Sequence, residues 1–403
     1  MNRSQRILPV YTGDVSGACS ALFELGGMVV IHDPSGCNST YNTHDETRWY
    51  DYDSLIFISG LVERDAILGN DDKFVRDVVD AALELRPRFV ALCNSPIPFI
   101  TGTDFAALCK MIQARTGIPC FYVPTNGMHD YTVGAGGALA EVAERFVRPA
   151  AVRAGTLNVL GVTPLDFAEA DVRGLPNEAR AAAAPGARDA VGGATGASGA
   201  AATGNATGAT GELRAFVQDA GFELVSCWAM GSTLDELARA AEAEVNLVVS
   251  SVGIPAAEVL RRRFGTPYVV GRPQGLFAAS LAEALRSVAA GSGSRLMPCK
   301  DARMSSGDAT RVVVGEPVAA GSLAASLELA DGEPTRVVCA TESAFGLLAP
   351  HDVYADGEEE VEAALVESRI VYADAFYAPV CPPSARLVCV PHFAFSGRQA
   401  WLQ

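Results

Sequence analysis

Several signatures that would have settled the chemistry of this chain at once are missing. No CxxC pair occurs among its ten cysteines, so spacing signals neither a zinc ribbon nor a ferredoxin-type cluster. There is no Walker A loop, and any ATP hydrolysis must belong to another protein. The glycine-rich run GAGGALAEV at 134–142 is not GxGxxG and lacks the acidic partner of a dinucleotide site, so it makes no case for NAD. No apolar run reaches the length of a bilayer span, and the opening MNRSQRILPV lacks the apolar core of a signal peptide. The expectation is a cytoplasmic protein without membrane contact. Charged residues are few, 19%, and the formal net charge of -16 repels phosphate backbones. No basic patch interleaved with aromatics offsets it, so nucleic acid is not an expected partner.

What is present is ample material for burial. At 403 residues with 49% hydrophobic content, the chain is globular and long enough for two or three domains. The cysteines, in such a compartment, read as buried thiols with a few metal ligands rather than as a disulfide framework.

Strand-like and helix-like runs alternate throughout. SLIFISG, RFVALC and CFYVP read as strands, and helical spacing falls between them, as over 104–115 and 137–147. Such alternation predicts parallel sheets joined by crossover helices. LNVLGV at 157–162 opens a second unit and RVVVG a third. The expected fold is therefore α/β, three tandem Rossmann-like doubly wound parallel-sheet domains, at 1–150, 151–295 and 296–403. An Ala/Gly/Thr stretch at about 181–211 has too little apolar bulk to offset its ordering entropy and reads as a disordered insertion.

The chain is organised around Val29 to Glu46, VVIHDPSGCNSTYNTHDE. A short buried strand stops at Pro34, and Ser35 and Gly36 turn the chain to present Cys37 at the strand's carboxyl end, where open α/β sheets place ligands. Cys93 likewise ends a strand, and Cys19 stands just ahead of a short apolar helix or turn. Thiolates gathered at one sheet edge suit a soft, redox-active metal centre. From spacing alone, small buried apolar cysteines are the commoner explanation. His44, Asp45, Glu46 and Arg48 either line the mouth of such a site, with His44 and Asp45 moving protons, or form a solvated polar loop. His129 reads as an ordinary turn histidine, and Cys109, Cys120, Cys227, Cys339 and Cys389 as buried core.

The order Cys19, HDPSGC, GLVERDAILGNDDK, ALCNSPIPFITGTD resembles the amino-terminal domain of the nitrogenase component 1 family. The resemblance implies three α/β domains and an iron-sulfur cluster, [4Fe-4S] or larger, at a subunit interface, with Cys19, Cys37 and Cys93 as ligands. Ile100, Gly102 and Asp104 echo the motif after the last cysteine; Glu63, Asp65, Ile67 and Gly69 echo another. It further implies a homodimer or a paralogous heterodimer that receives electrons from a separate ATP-dependent iron protein and reduces a small-molecule substrate.

Two departures weigh against a large nitrogenase-type cofactor. Ser250 or Ser251 falls where the family's catalytic subunit has a cysteine, and the segment around His392 is one residue shorter before Ser-Gly. The leading expectation is a nitrogenase-like oxidoreductase that does not reduce dinitrogen. A non-catalytic scaffold for metallocluster assembly and a metal-free small-molecule binding protein are its rivals.

Overall fold

The computed structural model describes residues 5–36, 38, 41, 46–50, 53–69, 71–167, 206–292, 295–304, 308–344 and 346–402. The β-branched and apolar runs of the sequence form three sheets, and every strand pair within them is parallel. The first holds β1 (Met28–His32), β2 (Leu55–Ile58), β3 (Val90–Asn94) and β4 (Cys120–Val123) in the order β2-β1-β3-β4. The second holds β5 (Arg153–Leu160), β6 (Glu223–Cys227), β7 (Ala243–Val248) and β8 (Tyr268–Val270) in the order β6-β5-β7-β8. The third runs β11-β10-β9-β12-β13, built from β9 (Arg311–Gly315), β10 (Thr335–Cys339), β11 (Val353–Tyr354), β12 (Ile370–Ala373) and β13 (Arg386–Cys389). In each, the strand order reverses beside the first strand, which opens a crevice at the carboxyl edge.

Both faces of the first sheet are covered, as parallel sheets require. Met28, Val30, Val90 and Leu92 point to one face and pack under α3 (Asp71–Leu85) and α5 (Phe105–Thr116). The alternate residues Val29, Ile31, Ala91 and Cys93 join a core shared with α1 (Asp14–Leu22) and α6 (Tyr131–Phe146), and that core continues through the second and third sheets. Two short helices, α2 (Glu63–Leu68) and α4 (Pro96–Thr101), lie side by side at the carboxyl edge.

Helices α1 and α6 cross in near backbone contact because glycines stand at the crossing. A Cβ on Gly17 would sit 2.3 Å from the Tyr131 carbonyl oxygen. Asp130 caps α6 by accepting the Thr132 N–H at 2.8 Å, which fixes where that helix starts.

Three sequence expectations need correction. Cys19 lies inside α1 rather than ahead of a helix, because Gly13 caps the chain early and the small residues Gly17, Ala18 and Ser20 allow close packing on α6. Residues 206–211, expected to be disordered, begin the helix Ala206–Asp219, which Leu213, Phe216 and Val217 anchor in the core; the rest of that insertion lies outside the described residues. The spacing of residues 233–243 reads in sequence as one helix, but the structure has only the helix Leu234–Leu237 and a tight turn at Ala240–Glu242. Its Thr233–Glu236 capping box starts it, and Asn158 Nδ2 claims the Ala240 carbonyl at 2.9 Å as the chain turns into β7. Among the described residues no helix is long and apolar enough to cross a membrane.

Candidate metal centre at the first sheet's carboxyl edge

Cys93 is laterally paired with Ile31 of β1, so it points to the face that α1 covers. Helix α1 carries Cys19 down to meet it. Both residues are fully buried in one core cluster, and the Cys93 side chain is near enough to act electrostatically on the Cys19 thiol. Burial pushes the Cys19 thiol far above its ordinary range, and Cys93, Glu46 and Asp14 push it further in the same direction. A thiol so placed keeps its proton unless a metal cation replaces it.

Asp14, at the start of α1, is itself buried and accepts the N–H groups of Asn126 and Gly127 at 2.8 and 2.9 Å. The third expected ligand, Cys37, and the proton-handling pair His44 and Asp45 lie outside the described residues. Among those described, no group of three or more His, Cys, Asp or Glu side chains is set to hold a metal ion. The donor set suits soft iron nonetheless: two sulfurs from separate elements converge in a dry site, and the chain between His32 and Cys37 leaves β1 beside them.

The histidine of HDPSGC faces the other way. His32 stacks on Phe74 with ring centroids 4.1 Å apart, and its Nδ1 lies 2.8 Å from Ser59 Oγ. Burial pushes its pKa down to about 4, so the ring is neutral, and its packing on Phe74 puts it on the face of the sheet opposite the two thiols.

Glu46 and Arg48 belong to a buried ion pair, and the solvated-loop reading fails for both. Arg48 Nε donates to Glu46 Oε1 at 2.8 Å and Nη2 donates to Oε2 at 2.9 Å. Their side chains are 6% and 0% exposed. Burial opposes ionisation of Glu46, but the Arg48 charge and hydrogen bonds outweigh it and hold the carboxyl below its usual range. In sequence the pair is only an E-x-R after a polar run, which looks the same on a surface as in a core.

A second polar cluster stands where carboxyl ends of the second and third sheets meet. Asp166, just after β5, accepts from Tyr131 OH at 2.5 Å, Thr163 Oγ1 at 2.9 Å and Ser250 Oγ at 2.8 Å. His392 Nε2 lies 3.4 Å from Asp166 Oδ1 in poor hydrogen-bonding alignment. Burial favours the neutral acid, yet His392, Tyr131 and Ser250 together hold Asp166 below its usual range. Arg272 donates to the Asp166 carbonyl at 3.1 Å with its guanidinium 3.9 Å above the Phe167 ring. The Ser251 N–H is taken by Glu316 at 2.8 Å. Hard oxygen and nitrogen groups therefore occupy the positions compared above with a cofactor-binding cysteine and histidine. The sequence reading missed Asp166, Tyr131, Arg272 and Glu316; an acidic residue directly after a strand, as in VTPLDF, was the available clue.

The remaining expectations fall as follows. His129 is half-exposed with Nδ1 2.8 Å from Glu342 Oε2, a tie to the third sheet's loops. Cys109, Cys120, Cys227 and Cys339 are buried, whereas Cys389 is only half-buried at the end of β13. Where α2 and α4 lie side by side the surface carries exposed apolar residues: Ile67 and Leu68 of α2 are 74% and 71% exposed, and Ile100 of α4 is 79% exposed.

A family model for nitrogenase component 1 type oxidoreductases matches residues 14–343. The nitrogenase iron-molybdenum cofactor biosynthesis protein NifE of Klebsiella pneumoniae is 27% identical over 106 residues, a match covering 25% of this chain and 22% of that protein. The match thus spans about a fifth of the relative's length. Two solved structures of nitrogenase Cp1 share the fold. The one at pH 6.5 has a TM-score of 0.63 at 13% identity, covering 100% of this chain and 90% of that chain. The one at pH 5 has a TM-score of 0.53 at 14% identity, covering 90% and 72%.

Proposed function

The chain belongs to the nitrogenase component 1 type oxidoreductases, and from that premise we propose that it accepts low-potential electrons through an iron-sulfur cluster held by Cys19, Cys37 and Cys93. The observation that carries this reading is the meeting of the Cys19 and Cys93 thiols, far apart in sequence, at one buried point. When bound, the cluster supplies one-electron transfer at low potential. The chain's own part is to hold the sulfurs, keep water out and carry the site to a surface.

That surface is the apolar strip of Ile67, Leu68 and Ile100, which supports docking of a second subunit, a copy or a paralogue, over the cluster edge. With no phosphate-binding loop in the chain, ATP-dependent delivery of electrons falls to a separate iron protein. His44 and Asp45 are proposed to move protons to the small-molecule substrate. The three sheets are taken as centres of the units 1–150, 151–295 and 296–403.

A second reading has its own support. The likeness to NifE favours a scaffold on which a metallocluster is assembled and passed on. Both readings need the same cysteines.

Anaerobic purification with iron and sulfide analysis and low-temperature electron paramagnetic resonance tests the shared core. The expected result is stoichiometric iron and sulfide, and a signal that appears on reduction and is lost or degraded in Cys37→Ala and Cys93→Ala, whose secondary structure stays intact. Unchanged iron in those variants would end the ligand assignment. Turnover of a reducible substrate selects the oxidoreductase; cluster transfer to another protein without turnover selects the scaffold.

A further inference from the structure

Arg48 stands where three chain segments meet. Beyond its two bonds to Glu46, its guanidinium donates to the Ser20 carbonyl at 2.7 Å, to Glu24 Oε1 at 2.9 Å and to the Ala229 carbonyl at 3.2 Å. Ser20 directly follows Cys19 in α1. Glu46 in turn accepts from Ser20 Oγ at 2.8 Å and from Tyr41 OH at 3.2 Å, so it ties α1 to both flanks of the segment that runs on from Cys37.

The third segment is the loop after β6. Ala229 there has φ 84, a left-handed conformation that a side chain disfavours, and the carbonyl it presents is the one Arg48 holds. Glu24 Oε2 accepts the Gly231 N–H of the same loop at 2.9 Å.

Two neutral side chains of similar volume fill a core as well as a buried ion pair does. Placing two full charges against Ser20, the neighbour of Cys19, at low dielectric has a different consequence, since solvent screens them poorly and each acts on the electron density at the adjoining sulfur. We propose that Glu46 and Arg48 are positioning residues for the Cys19 sulfur that also set the reduction potential of the cluster it holds; the proposal rests on the reading of Cys19 as an iron ligand. Reduction adds negative charge, which Arg48 favours and Glu46 opposes. Arg48, by gripping α1 and the loop after β6 together, also fixes where the sulfur stands.

The test uses the full chain, reconstituted anaerobically with ferrous iron and sulfide, as wild type, Glu46→Gln, Arg48→Lys and the double variant Glu46→Gln/Arg48→Met. Iron and sulfide content, the midpoint potential by mediated titration and the rate of iron removal by a chelator are read for each. At the wild-type midpoint, Glu46→Gln should raise the reduced-to-oxidised ratio at least tenfold, about 59 mV for one electron. The neutral double variant should return it to within about threefold of wild type. Arg48→Lys keeps the charge but loses the fork, so its potential should hold while the chelator strips iron at least threefold faster.

An unchanged potential in Glu46→Gln, or a double variant displaced as far as the single one, overturns the proposal. Should Glu46→Gln fail to fold, an Arg48→Lys protein that loses iron no faster than wild type overturns it instead. A wild type that binds no iron is a different failure, that of the ligand reading, and takes this inference with it.

Discussion

Gly134 of α6 approaches α1 so closely that a Cβ built on it would stand 1.8 Å from the Asp14 carbonyl oxygen. The obstacle is backbone, which no rotamer change can move aside. Gly134→Ala gains about 1 kcal/mol of helix propensity, but overpacking against an immovable group costs about 3 kcal/mol or more. The variant should lose about 2 kcal/mol in urea unfolding, and a midpoint equal to wild type would show that the crossing is looser than described. Because Asp14 opens the helix that carries Cys19, the same variant should also shift the environment of that thiol.

His32 gives the protein an acid weakness. Its folded pKa of about 4 lies below the ordinary value of about 6.5, so between those limits the unfolded chain binds a proton that the folded chain refuses. Stability is unaffected by this group above about pH 6.5 and falls as pH drops towards 4, by up to about 1.4 kcal/mol per unit. Urea midpoints of wild type and His32→Gln, compared between pH 7 and pH 4.5, should diverge in slope, with the variant the flatter. Parallel curves would mean that the ring is hydrated.

Tyr131 and Asp166 link the start of α6 to the short helix Pro164–Phe167 that follows β5 through the 2.5 Å hydrogen bond. Tyr131→Phe keeps the ring and removes the donor, leaving a buried carboxylate one bond short. The expected loss is about 1.5–3 kcal/mol, the range for hydrogen bonds to charged groups. Ser250→Ala removes another donor to the same carboxylate, so the two losses should be non-additive in a double-mutant cycle. Strict additivity would contradict a shared acceptor.

Much of the architecture could be read from the sequence because parallel strands buried on both faces are written as continuous apolar runs, and RVVVG became β9 residue for residue. Helix α1 could not be read so easily: Ser16, Gly17 and Ser20 lower the helix propensity of its nine residues, and its close packing on α6 is a tertiary contact that spacing does not reveal. The expectation that Cys19 meets Cys93 came from resemblance, since spacing alone favoured separate buried thiols. Arg48 and Glu46 look in sequence like any exposed pair. Their burial depends on Ser20, Glu24 and Ala229, which lie in distant parts of the chain. Asp166 likewise gains its meaning from Tyr131 and His392, contributed by elements at opposite ends of the polypeptide.

The stretch ahead of α1 is held by the far end of the protein: Arg6 Nε pairs with Glu358 at 2.8 Å, Tyr377 OH donates to the Pro9 carbonyl at 2.6 Å, and the Thr12 N–H donates to the Ala394 carbonyl at 3.0 Å. All three anchors belong to the third sheet's unit, hundreds of residues away along the chain. Residues 6–12 can therefore seat themselves only against a third unit that has already folded, so the approach to α1 is a late step of assembly however early α1 itself forms.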